Sequence, residues 1–166
     1  ARVFGQSAFT GAINIITKTD YETGGKLGIQ SGAFGQFFLN GNFQYAGDNA
    51  SYLVHLGNNK SNGYRYNTDF KNQQYLIRAN LLKKSQFPLQ FIASFTDRKF
   101  GANGFYASPQ AKDQYEETKA QWAAIQTQLQ KGNWIFRPQL YWRGGEDHYV
   151  YIRENPAIYE LSLIHI

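Results

Sequence analysis

The sequence predicts an all-β chain of antiparallel strands, patterned as the wall of a transmembrane β-barrel. Three observations carry this: apolar residues recur at every second position, the composition suits a sheet with one apolar and one polar face, and the connections alternate in length. Tyr, Phe and Trp number 12, 13 and 3 among 166 residues, and Asn and Gln number 13 and 15. Charged residues are 17 %, against about 25 % in ordinary soluble domains. The net charge is +5, the pI is near 9.3 and the mean hydropathy is −0.53. No apolar run approaches the ~18 residues of a membrane-spanning helix. The absence of Cys excludes disulfide scaffolds, thiol catalysis and Cys-ligated metal centres.

The elements follow in order. Ala12–Thr17 reads as a short apolar strand outside the later rhythm. A weak strand is expected over Gly25–Ala33. Gln36–Ala46 alternates cleanly, with Phe37, Leu39, Gly41, Phe43 and Tyr45 against a parity that only Phe38 and Ala46 interrupt. Ser51–Gly57 places Tyr52, Val54 and Leu56 on one face, and His55 on the other as a hydrogen-bonding residue. Gln74–Leu81 sets Tyr75, Ile77, Ala79 and Leu81 against Gln74, Arg78 and Asn80. Phe87–Thr96 alternates again through Phe91, Ala93 and Phe95. Lys119–Gln130 alternates more softly, and there helix competes with strand. Trp134–Trp142 is expected as one strand, with Arg137 and Gln139 on its polar parity.

Phe34-Gly35 and Gly47-Asp48-Asn49 read as hairpin turns. From the second turn onward the connections run short, long, short, long, short, long. Barrels of the outer membrane have this parity, and a soluble sandwich has no reason to keep it. Runs of 9–11 residues suit tilted membrane strands, and aromatic residues near strand ends suit the headgroup level. A soluble β-sandwich, such as a carbohydrate-binding module, shares the two-residue period and would bury the same apolar face.

Catalytic patterns are absent: no phosphate loop, nucleophile elbow or HExxH zinc motif occurs. Glu146-Asp147-His148 and Glu116-Glu117 are neighbours on extended backbone and point to opposite sides, which disfavours a metal centre or an acid–base pair. No catalytic or metal-binding residue is assigned, no cofactor is implied and an enzyme is not expected. Lys83-Lys84 and Arg98-Lys99 fall at opposite rims and form no stripe for nucleic acid; basic rim residues suit lipid headgroups or lipopolysaccharide. Tyr64, Arg65, Tyr66, Phe105 and Tyr106, in the two long loops, are the candidate ligand-binding residues. Their flat amphipathic groups suit a polycyclic, chelated or sugar-like solute.

Val3-Phe4-Gly5, Ala8-Phe9 and Gly11-Ala12-Ile13-Asn14-Ile15-Ile16-Thr17-Lys18 together resemble the end of the plug domain of TonB-dependent outer-membrane receptors. Ser61–Phe70, Phe100–Tyr106, Tyr141-Trp142-Arg143, Asp147-His148-Tyr149 and Arg153–Pro156 resemble receptors of this family from Bacteroidetes-type bacteria. The resemblance implies a fragment of a larger plugged barrel, of the ~22-stranded class. Residues 1–20 would end the plug, residues 21–160 would supply about seven barrel strands, and residues 161–166 form a non-native tail. That tail, Leu161–Ile166, resembles a translated sequencing-adapter end; a genuine short strand is the alternative. The implied function is energised uptake of a ferric siderophore, haem or cobalamin across the bacterial outer membrane. The implied partners are the TonB complex, lipid and lipopolysaccharide, and the solute, with no nucleic acid. Gln44, Arg78, Asn80, Arg137 and Gln139 would face the lumen or plug. A passive porin-like barrel shares every strand argument and lacks only Gly11–Lys18.

Overall fold

The structure is a computed structural model that describes residues 22–105 and 109–165. The expected plug end lies outside the described residues. Eight strands form one antiparallel sheet: β1 (Gly24–Ser31), β2 (Phe37–Ala46), β3 (Ala50–Ser61), β4 (Phe70–Leu81), β5 (Leu89–Gly101), β6 (Tyr115–Thr127), β9 (Gln139–Val150) and β10 (Glu160–His165). Between β6 and β9, β7 (Leu129–Lys131) and β8 (Trp134–Phe136) form a separate small ribbon. The all-β antiparallel expectation holds, and Lys119–Gln130, where helix competed, is strand over most of its length. The sheet is open, with β1 and β10 at its edges.

Among the described residues no second layer covers this sheet. The chain exposes 12432 Å², whereas a compact protein of its mass exposes about 8,400 Å². Among the described residues the buried apolar set is only Ala79, Ala102 and Val150. Leu27, Ile29 and Leu140 are between 61 and 72 % exposed. A single sheet cannot bury its own faces, so its cohesion rests on the strand ladders and on cross-strand side-chain pairs.

Register assigns the faces, because directly opposed residues of an antiparallel pair share a side. On the face called outer here, one row runs Phe43, Val54, Ile77, Ala93, Ala123, Trp142 from β2 to β9. The next row toward the long loops runs Gly41, Leu56, Tyr75, Phe95, Gln121, Gly144. The ring pairs Tyr45–Tyr52 and Tyr75–Phe95 stack at 6.2 and 6.3 Å. The upper limit of this apolar band steps across the sheet. It reaches Phe37 on β2, Leu56, Tyr75 and Phe95 on β3 to β5, and Ala123 and Trp142 on β6 and β9.

Above that limit the outer face turns charged. Phe37 is level with Lys60, Lys71, Lys99, Glu117 and His148. The inner face behaves oppositely. At mid-height it carries Asn42, His55, Ser94 and Arg143, around an apolar island of Leu53, Leu76, Ile92 and Trp122. His55 bonds Asn42 Oδ1 at 2.8 Å through Nδ1, as its parity predicted. Near the long loops the inner face gains Phe38 stacked on Phe70 at 6.4 Å, together with Phe100 and Tyr149.

Three expectations need correction. The segment Trp134–Trp142 is not one strand. Pro138 has no N–H for the ladder, so β8 ends at Phe136, and β9 begins at Gln139 and runs on to Val150. Arg137 therefore lies between strands and donates from Nε to Gln128 Oε1 at 2.8 Å. In consequence the connection of residues 128–138 is longer than a tight turn, and the length asymmetry of the two rims is milder than the sequence implied. Glu160–His165 pairs antiparallel with β9. Its Leu161 and Leu163 lie on the inner face opposite Tyr149 and Asp147, and its Ser162 and Ile164 on the charged outer rim, so its apolar parity is out of phase with the wall.

Candidate functional site

The long loops meet at one end of the sheet. Residues 62–69, 102–105, 109–114 and 151–159 belong to the three connections there, beside the β1–β2 hairpin tip. That tip turns through Phe34 at φ 58° and Gly35 at φ 63°, the double positive-φ geometry of a two-residue hairpin. The Phe34 carbonyl accepts from Asn62 N at 2.8 Å, which joins the tip to the first long loop.

Asn67 and Arg153 hold the loops together. Asn67 has φ 51°, a left-handed conformation that Asn tolerates. From there its Nδ2 donates to the carbonyls of Lys112 at 2.8 Å and Gln114 at 2.6 Å. Gly101 allows this approach, since a Cβ there would fall 2.6 Å from the Asn67 carbonyl oxygen. Arg153 forms a fork on Asp69, at 2.6 and 3.0 Å, and also donates to Asn67 Oδ1 at 3.2 Å. Its guanidinium lies 4.2 Å from the Tyr115 ring centre, and the Arg153 backbone N–H donates to the Asp113 carbonyl at 2.9 Å. The bond to Asp69 holds the guanidinium pKa above its ordinary value.

The predicted ligand-binding residues sit on this knot. Tyr66 donates to Asp113 Oδ1 at 2.6 Å, and that bond raises the phenol pKa. Its ring is still 60 % exposed. The Arg65 guanidinium rests 4.9 Å from the Tyr64 ring centre, and Tyr64 is 66 % exposed. Phe105 packs edge-on to Phe100 at 6.5 Å and is 72 % exposed. Tyr106 lies outside the described residues. Each of these loop aromatics thus has a neighbour, Arg65, Asp113 or Phe100, and is still largely exposed. The inner-face rings Phe38, Phe70 and Phe100 continue the aromatic surface downward from Phe105.

Gln44, Arg78, Asn80 and Gln139 do share the inner face; Arg137 does not. Asn80 donates to Ser51 Oγ at 3.0 Å, with the two residues 8 and 1 % exposed. Gln90 and Gln126 extend that row, Gln126 donating to Gln90. Glu146, Asp147 and His148 diverge. Glu146 binds Lys119 at 3.0 Å and His148 meets Glu160 at 2.6 Å on the outer face, while Asp147 lies on the inner one. Among the described residues no group of three His, Asp or Glu converges to hold a metal. Comparison with protein families, curated proteins and solved structures finds no match to this chain.

Proposed function

We propose that this chain is a section of the wall of a TonB-dependent outer-membrane receptor, a transmembrane β-barrel that takes up a scarce solute. The observation that carries the reading is the reversal of polarity along single strands. Within four residues β3 passes from Leu56 to Lys60, β4 from Tyr75 to Lys71 and β5 from Phe95 to Lys99, all on one face. The opposite face gains Phe38, Phe70 and Phe100 at the same height. A strand that leaves hydrocarbon for water needs this exchange: apolar groups face lipid below, while above it charges face water and rings turn inward. A sandwich strand keeps its apolar side inward to both ends.

The preference for an energised receptor over a passive porin rests on the Gly11–Lys18 resemblance. On this reading Ala12–Thr17 closes the plug, and Gln44, Arg78, Asn80 and Gln139 line the lumen or meet the plug. Tyr64, Arg65, Tyr66 and Phe105 offer the first contact to a ferric siderophore, haem or corrinoid. The TonB complex would then draw on the plug to open the path.

Single cysteines in the full-length parent test the wall. Leu39, Phe43, Phe91 and Leu140 are expected to react only with lipid-soluble thiol probes. Asn42, Gln90 and Gln139 are expected to react only with water-soluble ones. A first set inert to both probes would put those residues in a packed protein core and end the barrel reading.

A further inference from the structure

We propose that Lys60, Lys71 and Lys99 form a site for the phosphate of an anionic lipid on the outer face of the sheet. The proposal rests on the reading of that face as lipid-facing. Lys60 is the cross-strand partner of Lys71, and Lys71 of Lys99. Three ammonium-bearing side chains therefore share one row, on strands about 4.8 Å apart. Like charges placed directly opposite destabilise a sheet, and an anion against the row relieves that cost.

The charges around the row leave it cationic. Lys99 is held by Glu117 at 2.7 Å. Lys60 stands 5.9 Å from the Phe37 ring centre. Neither Lys60 nor Lys71 has an ion-pair partner among the described residues, and both are exposed. Asp97 lies one step below on this face, opposite Lys119, which itself binds Glu146. From β6 onward the same rim carries Glu117, Glu146 and Glu160, so the cationic stretch is confined to β3, β4 and β5.

An apolar step lies beneath it. Ala93 and Ala123 oppose each other on the outer face, small residues among Tyr75, Phe95 and Trp142, and a depression of about 350 Å³ at this height is bounded by residues of both parities, His55, Leu76, Ser94 and Trp122 included. From Lys99 to Ala93 is about 20 Å along the strand. Strands inclined as in membrane barrels convert that to about 15 Å of depth, one leaflet of a ~30 Å hydrocarbon core. Cations at the headgroup level above an apolar step one leaflet deep match a phosphorylated lipid, its phosphate on the lysines and an acyl chain along Phe95 to the alanine step.

The test is native mass spectrometry of the full-length parent in nonionic detergent, titrated with lipid A, phosphatidylcholine or inorganic phosphate. Lipid A binding is expected to weaken about fivefold per lysine removed and about 30-fold in Lys60→Gln/Lys71→Gln. Lys26→Gln, on the inner face of β1, is expected to leave it unchanged, as is Lys71→Arg. Heat-modifiable gel migration checks that the variants fold. Undiminished lipid A binding by the folded double variant overturns the proposal. So does an equal loss of phosphatidylcholine binding, or full displacement of lipid A by inorganic phosphate. Quenching of a fluorophore at Phe91→Cys by nitroxide lipids separates the two levels. Without quenching the lipid-facing reading itself fails; with quenching and undiminished lipid A binding, only the lysine site fails.

Discussion

Arg153 ties its own loop to Asn67 and Asp69 through its guanidinium and to Asp113 through its backbone N–H, and no sequence pattern shows that role. Its partners Asn67 and Asp69 lie 86 and 84 positions away in the chain. Replacement by Ala removes a forked charge-assisted bond, worth about 1–2 kcal/mol after allowance for its partial exposure. We expect amide hydrogen exchange of residues 62–69 to accelerate about 5–30-fold in Arg153→Ala, with the central strands unaffected. Tyr66 offers a pH-dependent check. Its phenol holds its proton more tightly in the folded loops than in the unfolded chain. The loop stabilisation is therefore complete below the ordinary tyrosine pKa of about 10 and fades as pH rises through the elevated value. Ultraviolet titration is expected to show that Asp113→Asn brings one of the late-titrating tyrosines back toward normal. Tyr64, Tyr66 and Phe105 were legible as exposed loop aromatics from residue type alone. Asn67 and Arg153 were not, because their roles depend on a positive φ and on contacts far apart in sequence.

At the scale of the strand, alternation located the long members of the sheet except β9, of which only Gln139–Trp142 fell in an expected strand, and misjudged several ends. The expected limits at Gly57 and Gln74 fall short of the true ends, Ser61 and Phe70. The missing pieces, Asn58-Asn59-Lys60-Ser61 and Phe70-Lys71-Asn72-Gln73, lie where the outer face turns charged, so an apolar period cannot reveal them. Lys119–Gln130 looked soft because Trp122 and Ala124 occupy the inner face. At Pro138 the missing N–H outweighs the alternation around it. The faces differ enough to predict opposite responses to charge. On the proposed membrane reading, Ile77→Lys is expected to cost about 2–4 kcal/mol, as for a charge at mid-bilayer, and Gln74→Lys less than about 1 kcal/mol. Equilibrium refolding of the full-length parent into lipid vesicles measures both.

The described residues form one large sheet with two open edges, a small separate ribbon and little core. Unpaired ladder groups on β1 and β10 are costly away from water and template further pairing. Produced alone, residues 22–165 are expected to associate in detergent through these edges, and cross-linking between cysteines on β1 and β10 should join separate copies. A monodisperse monomer would show that the sheet manages its edges unaided. The sheet's antiparallel order was legible from the sequence. The out-of-phase pairing of β10 was not, since a six-residue apolar stretch specifies neither face nor register by itself.

The stepped upper edge of the apolar band has a geometric consequence. From Phe37 on β2 to Trp142 on β9 the edge descends three rows, six residues, across five neighbouring strand pairs. That is a fall of about 20 Å over about 24 Å, so a level bilayer surface would meet the strands at a slant of about 40°, or about 25° if the line starts from Ile29 on β1. If the sheet is part of the proposed barrel, its side-chain chemistry carries the lean that closure requires for its shear. Polarised infrared spectroscopy of the oriented full-length parent should return a mean strand inclination in this range. Upright strands would mean that the diagonal has another origin.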